Sequence, residues 1–225
     1  MFGYDSTIIF LIPALLITFW AQTKVKTTFD KYSKVNSMNG YNGSQVARAL
    51  LDSAGLYDIP VEVVSGKLTD HYDPRKRVMR LSNDVFYGTS VASIGVAAHE
   101  TGHAIQHKES YYPLVLRNSI VPIANIGSNA SWILFILGLF LGIKPFVNFG
   151  IILFGAVVIF HIITLPVEFD ASSRALKILS TRGILYENEI KGAKQVLNAA
   201  AMTYVAAALM AVSQLIRLII ISRDR

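Results

Sequence analysis

Apolar runs at four places divide this chain, and polar stretches fill the intervals. The first run, Phe2–Ala21, has a fully apolar part at Ile8–Trp20 that contains Pro13. That part is short for a span. It crosses a bilayer only with the aromatic residues Phe2, Tyr4, Phe19 and Trp20 at the two interfaces. Met1–Asp5 carries no Lys or Arg, so the segment reads as a retained anchor rather than a signal peptide. Ser119–Ile143 is long enough to span outright, and its Asn125, Ser128, Asn129 and Ser131 are expected to face other helices. Lys144-Pro145 opens a tight turn and Phe149–Pro166 returns. Ala199–Ile221 is an Ala-rich last segment suited to close helix packing, with Arg217 near its end able to snorkel.

The polar intervals carry shorter patterns. Ser37–Ser44 is a Gly- and Asn-rich connector. Ser44–Ala54 predicts an amphipathic helix, with Ser44 as N-cap, Val46, Leu50 and Leu51 on the apolar face and Gly55 as the stop. Val61–Val64 predicts a strand. In Leu68–Ser82, Asp73-Pro74 signals a turn, and Val78, Met79 and Leu81 predict a second strand. A helix over Ser90–His107 follows. An exposed edge strand ahead of such a helix can pair with an extended peptide, a role expected here of Val78–Ser82. Glu168–Asn198 predicts two helical pieces broken at Arg182-Gly183. The fold class is therefore mainly α: a multi-pass membrane protein with about four segments and a small cytoplasmic α+β module. The segments are an anchor at 1–23, the module at 24–118, a membrane hairpin at 119–166, a cytoplasmic segment at 167–198 and a last membrane helix at 199–225.

Composition narrows the class. At 52% hydrophobic and 16% charged, the chain is too apolar for an ordinary soluble domain. Cysteine is absent, which excludes disulfides and thiolate metal sites, so a metal must use His and carboxylates. The net charge of +6 does not point to nucleic acid, because the basic residues lie beside apolar segments without interleaved aromatics. Of 21 Lys and Arg, Lys24–Arg117 holds 12 and the stretch 166–194 holds 5, which the positive-inside rule assigns to the cytoplasm. The N-terminus is then outside. A complete fourth span would also carry Arg223 and Arg225 outside, against that rule.

The chemistry gathers at Ala97–Glu109, AAHETGHAIQHKE, whose His99-Glu100-Thr101-Gly102-His103 is an H-E-x-x-H motif. Residues i and i+4 of a helix share a face, so both imidazoles can reach one ion, and Glu100 can take a proton from a metal-bound water. Zinc lowers the pKa of such a water from 15.7 to about 7. A catalytic zinc has three protein ligands and an open position. Glu168, directly after the third membrane segment, is the best third candidate. Asp170 could bind the metal or orient a ligand His, and His161 is a rival, roughly two turns before Glu168. His107, one turn past His103, reads as a pocket residue or a support for a ligand. His71, Tyr72 and Tyr204 are candidate donors to the developing oxyanion, His71 first.

These residues resemble the YugP-like family of bacterial membrane-bound neutral zinc metallopeptidases. The resemblance runs through TDHYDP (69–74), AAHETGHAIQH (97–107), LPVEFDAS (165–172) and AAAMTYVAAAL (199–209). More distantly the layout is similar to that of HtpX-type membrane peptidases. The resemblance implies His99, His103 and Glu168 as ligands to one zinc, Glu100 as general base, and the bacterial cell membrane as the location. It departs at Ser172, where those enzymes carry an acid four residues after the ligand Glu. The expected function is hydrolysis of peptides or membrane proteins at the cytoplasmic face of the bilayer. The alternatives are a catalytically silent zinc-binding adaptor or chaperone and, with only His161 to support it, a cation transporter.

Overall fold

The computed structural model describes residues 6–223. Phe2, Tyr4 and Arg225, which entered the reading of the anchor and the topology, lie outside the described residues. One 3-10 turn, Ser6–Phe10, leads into α1 (Ile12–Tyr32). Then come α2 (Gly43–Ser53), β1 (Val61–Val64), β2 (His71–Asp73), β3 (Val78–Ser82), α3 (Asn83–Phe86), α4 (Val91–Lys108), α5 (Tyr112–Leu141), α6 (Lys144–Thr181) and α7 (Glu187–Arg223). The protein is mainly helical with one small sheet, and four helices are long and apolar enough to cross a membrane: Thr7–Tyr32, α5, α6 and α7. The chain divides into two compact units. The membrane unit takes in the chain up to Gln22, Val115–Pro166 and the chain from Met202 on. The second comprises Thr23–Leu114 and Val167–Ala201.

The membrane unit packs on Phe135, Val147, Phe154, Val158, Ala211 and Leu218. Polar residues of α5 do not follow the expectation. Ser131 is fully buried, but Asn125, Ser128 and Asn129 are exposed. The buried face instead runs through Ala124, Gly127, Ser131 and Phe135, because small side chains let the α6 backbone approach: a Cβ on Gly127 would meet the Leu153 carbonyl oxygen at 2.9 Å.

In the second unit, α2 and α4 share two clusters. Val46, Leu50, Val91, Ile94 and Ala98 pack with Leu179, Leu185 and Leu197, while Leu51, Ile59, Met79, Leu81 and Val85 close around Ala97 and Ala104. The N-cap of α2 is Asn42 rather than Ser44. Asn42 accepts from the Gln45 backbone N–H while the Gln45 side chain accepts from the Asn42 N–H, and the Ser44 hydroxyl donates to the Asn42 carboxamide. That reciprocal pair satisfies two end donors, which one serine cannot. The sheet order is β1-β3-β2, with Val61 opposite Met79 in the parallel pair and Tyr72 opposite Met79 in the antiparallel one. β3 is thus the central strand, paired on both sides. It cannot be the open edge expected of Val78–Ser82, and β2 holds an edge position instead.

Candidate metal centre

Ser90 caps α4, its hydroxyl accepting from the Ser93 N–H, and the helix runs 18 residues with its Ala and Gly positions buried. It presents His99 and His103 one turn apart, their ring centroids 4.7 Å apart and nearly perpendicular. α6 brings Glu168 against them. Its Oε2 lies 3.3 Å from His99 Nε2 and 3.5 Å from His103 Nε2. One ligand atom from each of the three residues lies within 4.8 Å of the others. The close crossing of the two helices depends on Gly102. A Cβ there would meet the Ala171 carbonyl oxygen at 2.7 Å.

Both imidazoles are held from behind. His99 Nδ1 is 3.1 Å from the Ser172 hydroxyl, and His103 Nδ1 is 3.0 Å from Gln106 Oε1. With Nε2 turned inward, each Nδ1–H donates outward, which fixes tautomer and ring orientation. Gln106 is fully buried, and its Nε2 donates to the Val167 carbonyl and to Asp170 Oδ2, 2.9 and 2.7 Å away. Arg174 Nε donates to the same Asp170 oxygen and Arg174 Nη1 to Glu109, each at 2.5 Å. Asp170 therefore touches neither imidazole; it acts on His103 through Gln106. Burial disfavours a charged His103, but the neighbouring Glu168 and Glu100 outweigh it and hold its pKa above the ordinary value. The pocket wants positive charge. Two imidazole nitrogens and a carboxylate oxygen, with both rings pre-oriented, form a donor set that fits zinc.

Glu100 is buried, and its Oε2 accepts the backbone N–H of Tyr72 on β2 at 3.0 Å. Its Oε1 accepts no hydrogen bond among the described residues. The free edge of β2 accordingly faces the Glu100 carboxylate. The Tyr72 hydroxyl lies 2.9 Å from His107 Nδ1, so His107 supports the Tyr72 ring. His71 is exposed, its Nδ1 2.8 Å from the Thr69 carbonyl. Since Nδ1–H donates there, Nε2 carries a hydrogen only in the imidazolium form. Tyr204 and His161 belong to the membrane unit. Gln106 has no place in the sequence reading. The only available signal was a polar side chain three residues past His103, one turn along the motif helix.

No solved structure matches the chain. A family model described as "Putative neutral zinc metallopeptidase" matches residues 7–223. The "Putative membrane protease YugP" of Bacillus subtilis (strain 168) is 54% identical over 210 residues, covering 93% of this chain and 93% of that protein. The family match takes in the anchor, the motif helix, the Glu168 segment and the last apolar helix alike. The chain belongs to the family described as "Putative neutral zinc metallopeptidase".

Proposed function

We propose that this chain is a membrane-embedded zinc endopeptidase of the bacterial cell membrane that cleaves peptides or membrane proteins on the cytoplasmic side. The observation that carries the reading is the convergence of His99, His103 and Glu168 with Glu100 beside them, its carboxylate tied to an edge strand. His99, His103 and Glu168 would hold the zinc. When bound, it supplies Lewis acidity, polarising a carbonyl and making a water acidic at neutral pH.

The residues of the chain do the rest. An extended substrate lies along the outer edge of β2 and across Glu100, using the outward main-chain groups that Glu100 does not already occupy. The Tyr72 N–H fixes one carboxylate oxygen and leaves Oε1 of Glu100 to take the proton of the attacking water. Glu100 returns that proton to the leaving amine as the tetrahedral carbon collapses. His71, when protonated, donates to the developing oxyanion. Ser172 and Gln106 keep the imidazoles oriented throughout.

The test is Glu100→Gln in the full-length protein, followed on casein and on a membrane-protein substrate, with zinc content measured in parallel. Hydrolysis should vanish while zinc stays bound. A variant that still cleaves at the wild-type rate would remove Glu100 from the reaction.

A further inference from the structure

The membrane unit contains a partly open cavity of about 480 Å³ to which all four of its helices contribute. Thr18 of α1, Trp132 of α5, His161 of α6 and Ala207 and Gln214 of α7 line it. Its walls are mainly apolar, but two polar groups in them have unmet bonding capacity. Gln214 is nine-tenths buried and its Nε2 has no hydrogen-bond partner among the described residues. His161 makes no hydrogen bond among the described residues; its ring only packs on Phe160. In hydrocarbon no water compensates for an unpaired donor, and an ionisable group at that depth marks a function by default.

The shape limits what can enter. Thr203 and Gln214 both line the cavity and lie 11 residues apart on α7. At 1.5 Å per residue the cavity therefore extends roughly 16 Å along that helix. The volume spread over that length gives a section of about 30 Å² for atom centres, or about 9 Å across once a radius of about 1.4 Å is added all round. An α-helix with its side chains is about 10–12 Å across. A transmembrane helix is thus too wide. An extended peptide is excluded on other grounds, because its backbone groups would stand unpaired among apolar walls.

We propose that this cavity binds one acyl chain whose terminal carbonyl group accepts a hydrogen bond from the Gln214 amide or the His161 ring. The chain itself lies along Ala206, Ala207 and Met210. A carbonyl meets such an unpaired donor without bringing a charge into the hydrocarbon. A free fatty acid in its neutral form and a glycerolipid ester share this chemistry. None of its lining residues belongs to the candidate metal centre.

Trp132 provides the readout, since the chain has only two tryptophans and the other, Trp20, is exposed and outside the cavity lining. The full chain carrying Trp20→Phe is titrated in detergent with a fatty acid brominated at mid-chain and, separately, with phosphatidylcholine brominated at the same depth. Saturable quenching of Trp132 is expected with one of the two, and which one identifies the source. Ala207→Phe fills the cavity and should abolish the saturable part; Ala207→Leu should reduce it if the larger side chain impairs folding. Gln214→Leu keeps the bulk but loses the amide, and should weaken binding about fivefold, the value of one neutral hydrogen bond. Quenching that rises without saturation for both probes, or that is identical in the filled variants, would mean that lipid only surrounds the protein and would overturn the proposal. Unchanged affinity in both Gln214→Leu and His161→Phe would overturn the recognition of the carbonyl.

Discussion

Gly102→Ala tests whether the metal centre depends on how closely α6 approaches α4. The added Cβ would stand 2.7 Å from the Ala171 carbonyl oxygen, where ordinary contact begins at 3.4 Å. The two backbones must therefore separate by 0.7 Å, the difference of those values. Both atoms belong to helices, so no flexible side chain can absorb the shift. Ala171 is three residues from Glu168, and Glu168 moves with it. Site geometry tolerates about 0.5 Å before function suffers. Overpacking costs about 1–3 kcal/mol, and replacing Gly by Ala inside a helix returns about 1. The fold should thus lose little, about 0–2 kcal/mol. Zinc affinity should fall at least tenfold, since a ligand carboxylate is displaced rather than merely loosened. Competition against a chromophoric chelator measures the affinity, and a circular-dichroism melt reports the fold. Gly95→Ala is the control on the same helix, because its Cβ would meet Ala193 at ordinary contact, Cβ at 3.4 Å and Cα at 3.7 Å. It should keep wild-type zinc affinity. Wild-type affinity and activity in Gly102→Ala, with an unchanged melt, would refute the close-approach argument.

Other substitutions separate the roles around the site. Glu168→Gln should lose most bound zinc, whereas Asp170→Asn, two contacts away, should retain most of it; the reverse pattern would make Asp170 the ligand. Gln106→Leu removes the acceptor behind His103 and should weaken zinc binding 10- to 100-fold, read by the same chelator competition. A cysteine at the exposed Ser65 should resist a membrane-impermeant thiol reagent in intact cells, and the cysteine-free background makes any labelling decisive against a cytoplasmic site. Burial raises the pKa of Asp70 despite the hydrogen bonds it accepts from Ser82. The folded state therefore holds this proton more tightly than the unfolded one, and the contribution is lost as pH rises above about 4. Asp70→Asn should accordingly flatten the fall in Tm between pH 4 and 7; an unchanged slope would count against it.

Much of the architecture was legible in the sequence, for identifiable reasons. Long apolar runs mark membrane helices whatever their surroundings. Ser90 and the buried Ala and Gly positions define α4 locally, and the short valine-rich and apolar runs mark β1 and β3. What escaped depends on other parts of the chain. β2 is three residues, His71–Asp73, with no apolar alternation, and exists only because β3 lies beside it. The order of strands in the sheet cannot be read from the strands themselves, so Val78–Ser82 looked like an edge. Gly102 reads as a weak helix residue until Ala171 is set against it. Ser172 reads as the loss of an acid, and Gln106 as an ordinary helix residue. Their purpose appears only when α6 crosses α4, setting Ser172 against His99 and giving the Gln106 amide its acceptors Val167 and Asp170. Asn125, Ser128 and Asn129 were expected inside on polarity alone, yet α5 buries its small residues instead.

The neutral partners behind the two imidazoles have a consequence for exchange. A carboxylate facing the far N–H of a histidine lends it electron density and strengthens its bond to a metal. Here a hydroxyl and a carboxamide stand in that position, and the nearest acid reaches His103 only through Gln106. The rings are held in place without being made more basic. Such a centre is well aligned but a weak electron donor. Its zinc should exchange faster, and the ion should stay more electron-poor, than in a site with charged support. Occupancy would then follow the zinc supply of the cell, and the same substitution that costs grip would favour reactivity. Ser172→Asp should slow zinc release measured by isotope exchange.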